Sequence, residues 1–114
     1  MEELLNTCES IRESLETLYN LTDEEREERE ERGEESDIRE WLDGAPDIEY
    51  TISSRGDYLG ACVWVCIGGL NVWIDTRNCE IRGAWGSERA GIWFPYEICD
   101  EIDSYMEEMY LSIK

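Results

Sequence analysis

YLGACVWVCIGGLNVWID, residues 58–75, is the one stretch where apolar residues run almost without a break. Its first ten residues, Tyr58 to Ile67, carry no charge, and Val63, Val65 and Ile67 are β-branched. Two-residue alternation sets Leu59, Ala61, Val63, Val65 and Ile67 on one face, with Tyr58, Cys62, Trp64 and Cys66 on the other. A strand apolar on both faces is expected to be covered on both, which places it at the centre of a sheet. Gly68-Gly69 breaks the run, and Val72, Trp73 and Ile74 read as its hairpin partner.

Working outward, Asp47–Ser54 alternates Ile48, Tyr50 and Ile52 with Glu49, Thr51 and Ser53, a half-buried strand. Arg55-Gly56-Asp57 is the turn into the central strand. Asn71–Thr76 is a third strand, Arg77-Asn78 its turn, and Glu80–Trp85 a fourth. Together, residues 47–86 predict a four-stranded antiparallel meander. Gly86–Phe94 reads as a loop or a short edge strand.

Three helical segments flank the sheet. Leu4, Cys8, Ile11, Leu15 and Leu18 recur at helical spacing, so 2–20 is an amphipathic helix with a narrow seam. Such a seam fits one neighbour, either this chain or a second copy. Thr22 with Glu25 three residues later is a capping-box pattern that starts a second, acidic helix over 22–43. Its first half has no apolar residue, carries Glu25–Arg29 and Glu28–Arg32 as i,i+4 pairs, and is expected to project as an arm anchored at Trp41. Pro95 suits a helix start. Over 95–113, Ile98, Ile102, Tyr105, Met109 and Ile113 share a face widened by Cys99, Met106 and Tyr110. The predicted fold is thus α+β and single-domain, with two N-terminal helices, the meander, and a C-terminal helix packed on the sheet.

Composition narrows function. The 114 residues hold 29 acids against 10 bases and no His, a formal charge of −19. Repulsion on that scale disfavours nucleic acid and anionic membranes as partners and favours a basic protein surface. General salt adaptation would spread the acid evenly, yet Asp23–Glu35 alone holds nine acids and three Arg. Lacking His, the chain is without the commonest general base and metal ligand, and it carries no nucleophile elbow or phosphate-binding loop. Asp57 and Asp75 could meet as a carboxylate pair at adjacent hairpin ends, although strand-end carboxylates are far more often turn formers. Catalysis, metal and cofactor are accordingly not expected.

Five Cys is an odd count, and Met1-Glu2-Glu3 lacks the basic start of a secretory signal, which points to reduced thiols and a cytoplasmic location. Cys62 and Cys66 lie about 13 Å apart along a strand, too far to share a disulfide or a zinc ion. Cys8 and Cys99 fall on apolar helix faces, and Cys79 sits at a turn. Trp64 and Trp73 read as core and cross-strand packing; with Trp85 and Trp93 they could instead form an aromatic patch that binds protein or makes a homodimer.

Carboxylates three and four residues apart on a helix are about 5–6 Å apart, close to the pitch of phosphates along a DNA strand. Two rows have this form. Glu24, Glu27, Glu28, Glu31, Glu34 and Glu35 make up one, and Glu97, Asp100, Glu101, Glu107 and Glu108 the other.

Residues 54–110 resemble small uncharacterised proteins of phages and conjugative elements of gut Firmicutes. The shared parts are the Gly-Gly-x-Asn-x-Trp-x-Asp-Thr-Arg hairpin, Gly68 to Arg77, the Gly-x-Trp-Gly turn from Gly83 to Gly86, and the acidic final helix. The resemblance implies genetic context rather than chemistry. Mobile elements encode small acidic inhibitors of CRISPR and restriction nucleases, and in character the chain is similar to those. The expected function is therefore a non-enzymatic DNA mimic occupying the DNA-binding channel of a CRISPR effector such as Cas9, or of a restriction enzyme. The alternative is an acidic interaction module for a basic protein of the same element. Either a monomer or a homodimer fits.

Overall fold

A computed structural model describes residues 2–114. Its sheet has five strands in sequence order, all antiparallel: β1 (Asp47–Ile52), β2 (Tyr58–Cys66), β3 (Asn71–Asp75), β4 (Glu80–Trp85) and β5 (Glu88–Trp93). The expected four-stranded meander gains β5, the segment read as a loop or short edge strand. Gly86-Ser87 forms the two-residue connection between Trp85 and Glu88, with Gly86 at φ +62°, the left-handed backbone such hairpins require.

All the helices that pack on the sheet lie on one face. α1 (Glu2–Tyr19) covers β4 and β5, and α4 (Tyr96–Ile113) covers β2. The α1 seam, Leu4, Cys8, Ile11, Leu15 and Leu18, is buried against this sheet, so the residues that could have zipped a homodimer form the chain's own core. From the sheet, Ala61, Val63, Val72, Ile74 and Ile81 complete that core. On α4 the buried face is Ile98, Cys99, Ile102 and Met106, with Tyr105, Met109 and Tyr110 half-buried; Ile113, expected on that face, is exposed past its end.

The expected second helix over 22–43 is two helices. α2 (Asp23–Glu31) begins with the predicted capping box, Thr22 to Glu25 N–H at 3.1 Å and Thr22 N–H to Glu25 at 3.0 Å. It stops because Gly33 turns left-handed at φ +73°, which lets Glu34 N–H reach back to Arg29 O. Asp37 then caps α3 (Ile38–Asp43) through the Glu40 N–H. The anchors of this segment are Ile38 and Leu42, both fully buried, while Trp41 is only half-buried.

β2 is not covered on both faces. Two β-bulges reverse the expected sides at its ends: the register skips at Leu59, between Gly60 and Tyr58, and again at Val65. Tyr58 and Cys66 consequently turn to the helix side, whereas Leu59 and Ile67, assigned to the core by simple alternation, are 46 % and 58 % exposed. Trp64 and Trp73 project from the opposite face, which no helix covers.

Candidate functional site

The predicted acidic rows lie on the helical side of the molecule. On α2, Glu24, Glu27, Glu28 and Glu31 share one exposed face at i, i+3, i+4 and i+7. The helix holds this orientation through its arginines rather than through apolar contacts. Arg26 Nε donates to Ser36 O at 3.0 Å and Arg29 Nη1 to Glu35 O at 3.3 Å, so both guanidiniums point at the returning chain. The buried Ser36 hydroxyl fixes that return by bonding Glu40 at 2.7 Å. Arg32, expected beside Glu28, pairs instead with Glu34 at 3.1 Å, and this guanidinium holds the Glu34 carboxyl below its usual range. Glu34 and Glu35 lie beyond the Gly33 turn, so the row of six is a helical row of four with two acids on the segment that follows.

The second row runs along α4. Glu97, Asp100 and Glu107 are exposed and Glu101 is half-buried. Glu108 is engaged by Arg39 of α3 at 2.7 Å, and the same guanidinium stacks 4.7 Å from the centre of the Tyr105 ring. This second row is therefore shorter as a free surface than its sequence suggests. Its neighbour Asp103 serves the fold, accepting the Tyr58 hydroxyl at 2.7 Å beside the Tyr50–Tyr58–Tyr110 ring cluster.

Burial first, and then the bond to Asp103, hold the Tyr58 phenol protonated well above the ordinary tyrosine range. The folded chain thus keeps a proton that the unfolded chain releases near pH ~10. This contribution to stability is intact below that pH and is lost as pH rises through the folded-state value. A thermal melt monitored by circular dichroism is expected to fall steeply above pH ~10, and Tyr58→Phe is expected to flatten the fall. A variant with the wild-type slope would remove Tyr58 from this role.

The uncovered face of the sheet carries the remaining notable residues. Trp64 and Trp73 are direct cross-strand partners with ring centres 4.9 Å apart and planes tilted by 39°. Trp64 Nε1 donates to Glu49 at 2.7 Å. Arg77 lies across Gly60, where an added Cβ would stand 2.1 Å from its Cγ. The register adds Trp93, 69 % exposed, to the same face. The sequence flagged these tryptophans but placed Trp64 and Trp73 in a core; the bare face was legible only from the positions of the helices.

Elsewhere, Asp75 and Asp57 do not form a pair. Asp75 sits opposite Cys62, five residues along the chain from Asp57, and its carboxylate accepts from Arg77 N, Asn78 N and Asn78 Nδ2 in the β3–β4 turn. All five cysteines are free thiols. Burial pushes Cys8, Cys62 and Cys99 up, away from reactive thiolate. Among the described residues no group of three or more His, Cys, Asp or Glu is arranged to hold a metal ion, and no helix is long and apolar enough to cross a membrane. A cleft of about 330 Å³ between α1 and the α2–α3 segment is lined by Ser10, Glu13, Ser14, Thr17 and Trp41, with Arg29 and Glu35 closing one side. Compared with known protein families, curated proteins and solved structures, the chain matches none.

Proposed function

We propose that this protein is a non-enzymatic inhibitor that enters the DNA-binding channel of a host defence nuclease and occupies it by acidic mimicry of nucleic acid. The observation that carries the reading is the orientation of α2. A nine-residue helix without a buried side chain turns Arg26 and Arg29 inward and Glu24, Glu27, Glu28 and Glu31 outward. Neither arginine stands three or four residues from any of these four acids, and Arg32, which stands four from Glu28, pairs with Glu34. No ion pair within the helix therefore offsets the outer row, and it is left to meet a basic partner. Held at helical pitch, the four carboxylates present spaced negative charge to a channel whose Lys and Arg are placed for phosphates. Glu34, Glu35 and the α4 acids Glu97, Asp100 and Glu101 extend the negative surface. In a Cas9-type effector the arginines that read the PAM duplex would be met by this row.

The test is competition. Added to a guide-loaded effector at low ionic strength, the protein is expected to release bound DNA, and added salt is expected to abolish the effect. Glu24, Glu27, Glu28 and Glu31 replaced together by Gln keep helix propensity and lose the charge. That variant is expected to bind about tenfold or more weakly, whereas Glu97, Asp100 and Glu107 replaced by Gln change less. DNA binding unchanged by the wild-type protein across defence nucleases at low salt would overturn the proposal.

A further inference from the structure

Charge is distributed very unevenly between the two sides of the molecule. The uncovered sheet face carries four carboxylates, Asp47, Glu49, Asp75 and Glu80, and three guanidiniums, Arg77, Arg82 and Arg89. It is therefore nearly neutral in a chain of formal charge −19. Almost all the net negative charge lies on the helical side and the rim. A basic partner is drawn to that side and has little electrostatic reason to seat on the sheet. For a second copy of the chain the opposite holds, because this face alone can approach its own image without strong repulsion.

The face is also self-complementary. Cross-strand register sets Asp47, Trp64, Trp73, Arg82 and Gly91 in one row from β1 to β5. In this row acid lies at the β1 end, arginine toward the β5 end, and the tryptophan pair between them. In the next row Asp75 and Glu80 stand on β3 and β4, the Asp75 carboxylate already bonded by Arg77 N–H and Asn78 in its turn. A two-fold axis in the interface, parallel to the central strand β3, carries β1 of one copy over β5 of the other and β2 over β4. Trp64 then meets the partner copy's guanidinium at position 82, a cation–π arrangement. Trp73 packs on its own image at the axis, and the β1 acids approach the arginine side of the other sheet. Five strands about 4.8 Å apart and six residues long give roughly 400–500 Å² per copy. Two copies together come to about 1,000 Å², the lower limit for a specific interface, so the association is weak and concentration-dependent.

We infer that the protein forms a symmetric dimer by packing its uncovered sheet faces, tryptophan to tryptophan, with both acidic helical sides turned outward. Bivalent display of the acidic rows follows, and it does not depend on which basic surface they meet.

Sedimentation equilibrium of the full chain from about 10 µM to about 1 mM tests this. The mass is expected to rise from monomer toward dimer with concentration. It is expected to rise further in about 0.5 M salt, because screening relieves the repulsion between two chains of like charge. That salt dependence is opposite to the one expected for binding a basic channel. Arg82→Glu and Trp73→Ala, each with wild-type circular dichroism, are expected to stay monomeric throughout. A wild-type protein that remains monomeric at about 1 mM in high salt overturns the inference. So does a dimer undiminished in either folded variant, since the symmetric arrangement needs both residues.

Discussion

Ile11→Asp is expected to abolish the folded state. Ile11 lies in the middle of the α1 seam, 7 % exposed, within the core between α1 and the sheet. The change removes a buried branched side chain, worth about 1.5–3 kcal/mol of burial. It also forces a carboxylate into a cluster of buried apolar side chains, where ionisation or proton uptake costs about several kcal/mol. Against a total stability of roughly 5–15 kcal/mol, already lowered by self-repulsion, the sum is enough to unfold the chain. Circular dichroism is expected to show loss of the cooperative melt. Had the seam been a dimer contact, the same variant would have stayed folded and changed only its mass. A folded Ile11→Asp protein with wild-type melting would place Ile11 outside the core.

The second large effect is expected where α1 comes closest to the sheet. Gly83, which its sequence context suggests as part of a turn, lies within β4 on the helix side, opposite Val72 and Ala90. A Cβ built there would stand 2.6 Å from Leu4 Cδ1 and 3.1 Å from Leu4 Cγ. Leu4 is fully buried and has no room to retreat. Gly83→Val is therefore expected to cost about 1–3 kcal/mol by overpacking, and Leu4→Ala about 2–5 kcal/mol by leaving a cavity. Combined, the valine fills part of the space the leucine vacates, so the double variant is expected to lose less than the two single losses added together. Denaturant melts of the four proteins measure the coupling. Simple additivity would mean that Leu4 and Gly83 do not share that space.

Much of the fold was legible along the chain because short-range periodicity carries it. The α1 seam, the α4 stripe and the capping box at Thr22 are each set by residues within one or two turns, and each formed within a residue of its expected place. For Gly86–Phe94 the sequence left loop and short edge strand open, and the structure makes it the edge strand β5, entered through the two-residue Gly86-Ser87 connection. The isolated polar residues of β5 look like loop until Ile81–Ile92 and Gly83–Ala90 pairing gives them a side to face. Gly33 falls inside the single helix expected over 22–43 and is the stop of α2, because a left-handed glycine followed by the Asp37 cap is more favourable than an exposed helix through it.

The candidate site was legible in composition and not in geometry. The sequence alone determined that the chain is α+β, acidic to an extreme, without histidine, and equipped with acids at helical spacing. Those properties depend on residue type and on neighbours a few positions away. Only the tertiary structure decided which faces are free. It turned Arg26 and Arg29 inward so that the α2 carboxylates face outward, drew Glu108 to Arg39, and took Asp103 for Tyr58. It also left the side of β2 bearing Trp64 uncovered, contrary to the expectation from a doubly apolar strand. Burial of a strand face depends on where distant helices pack, and two bulges at the ends of β2 were enough to change which residues those helices met.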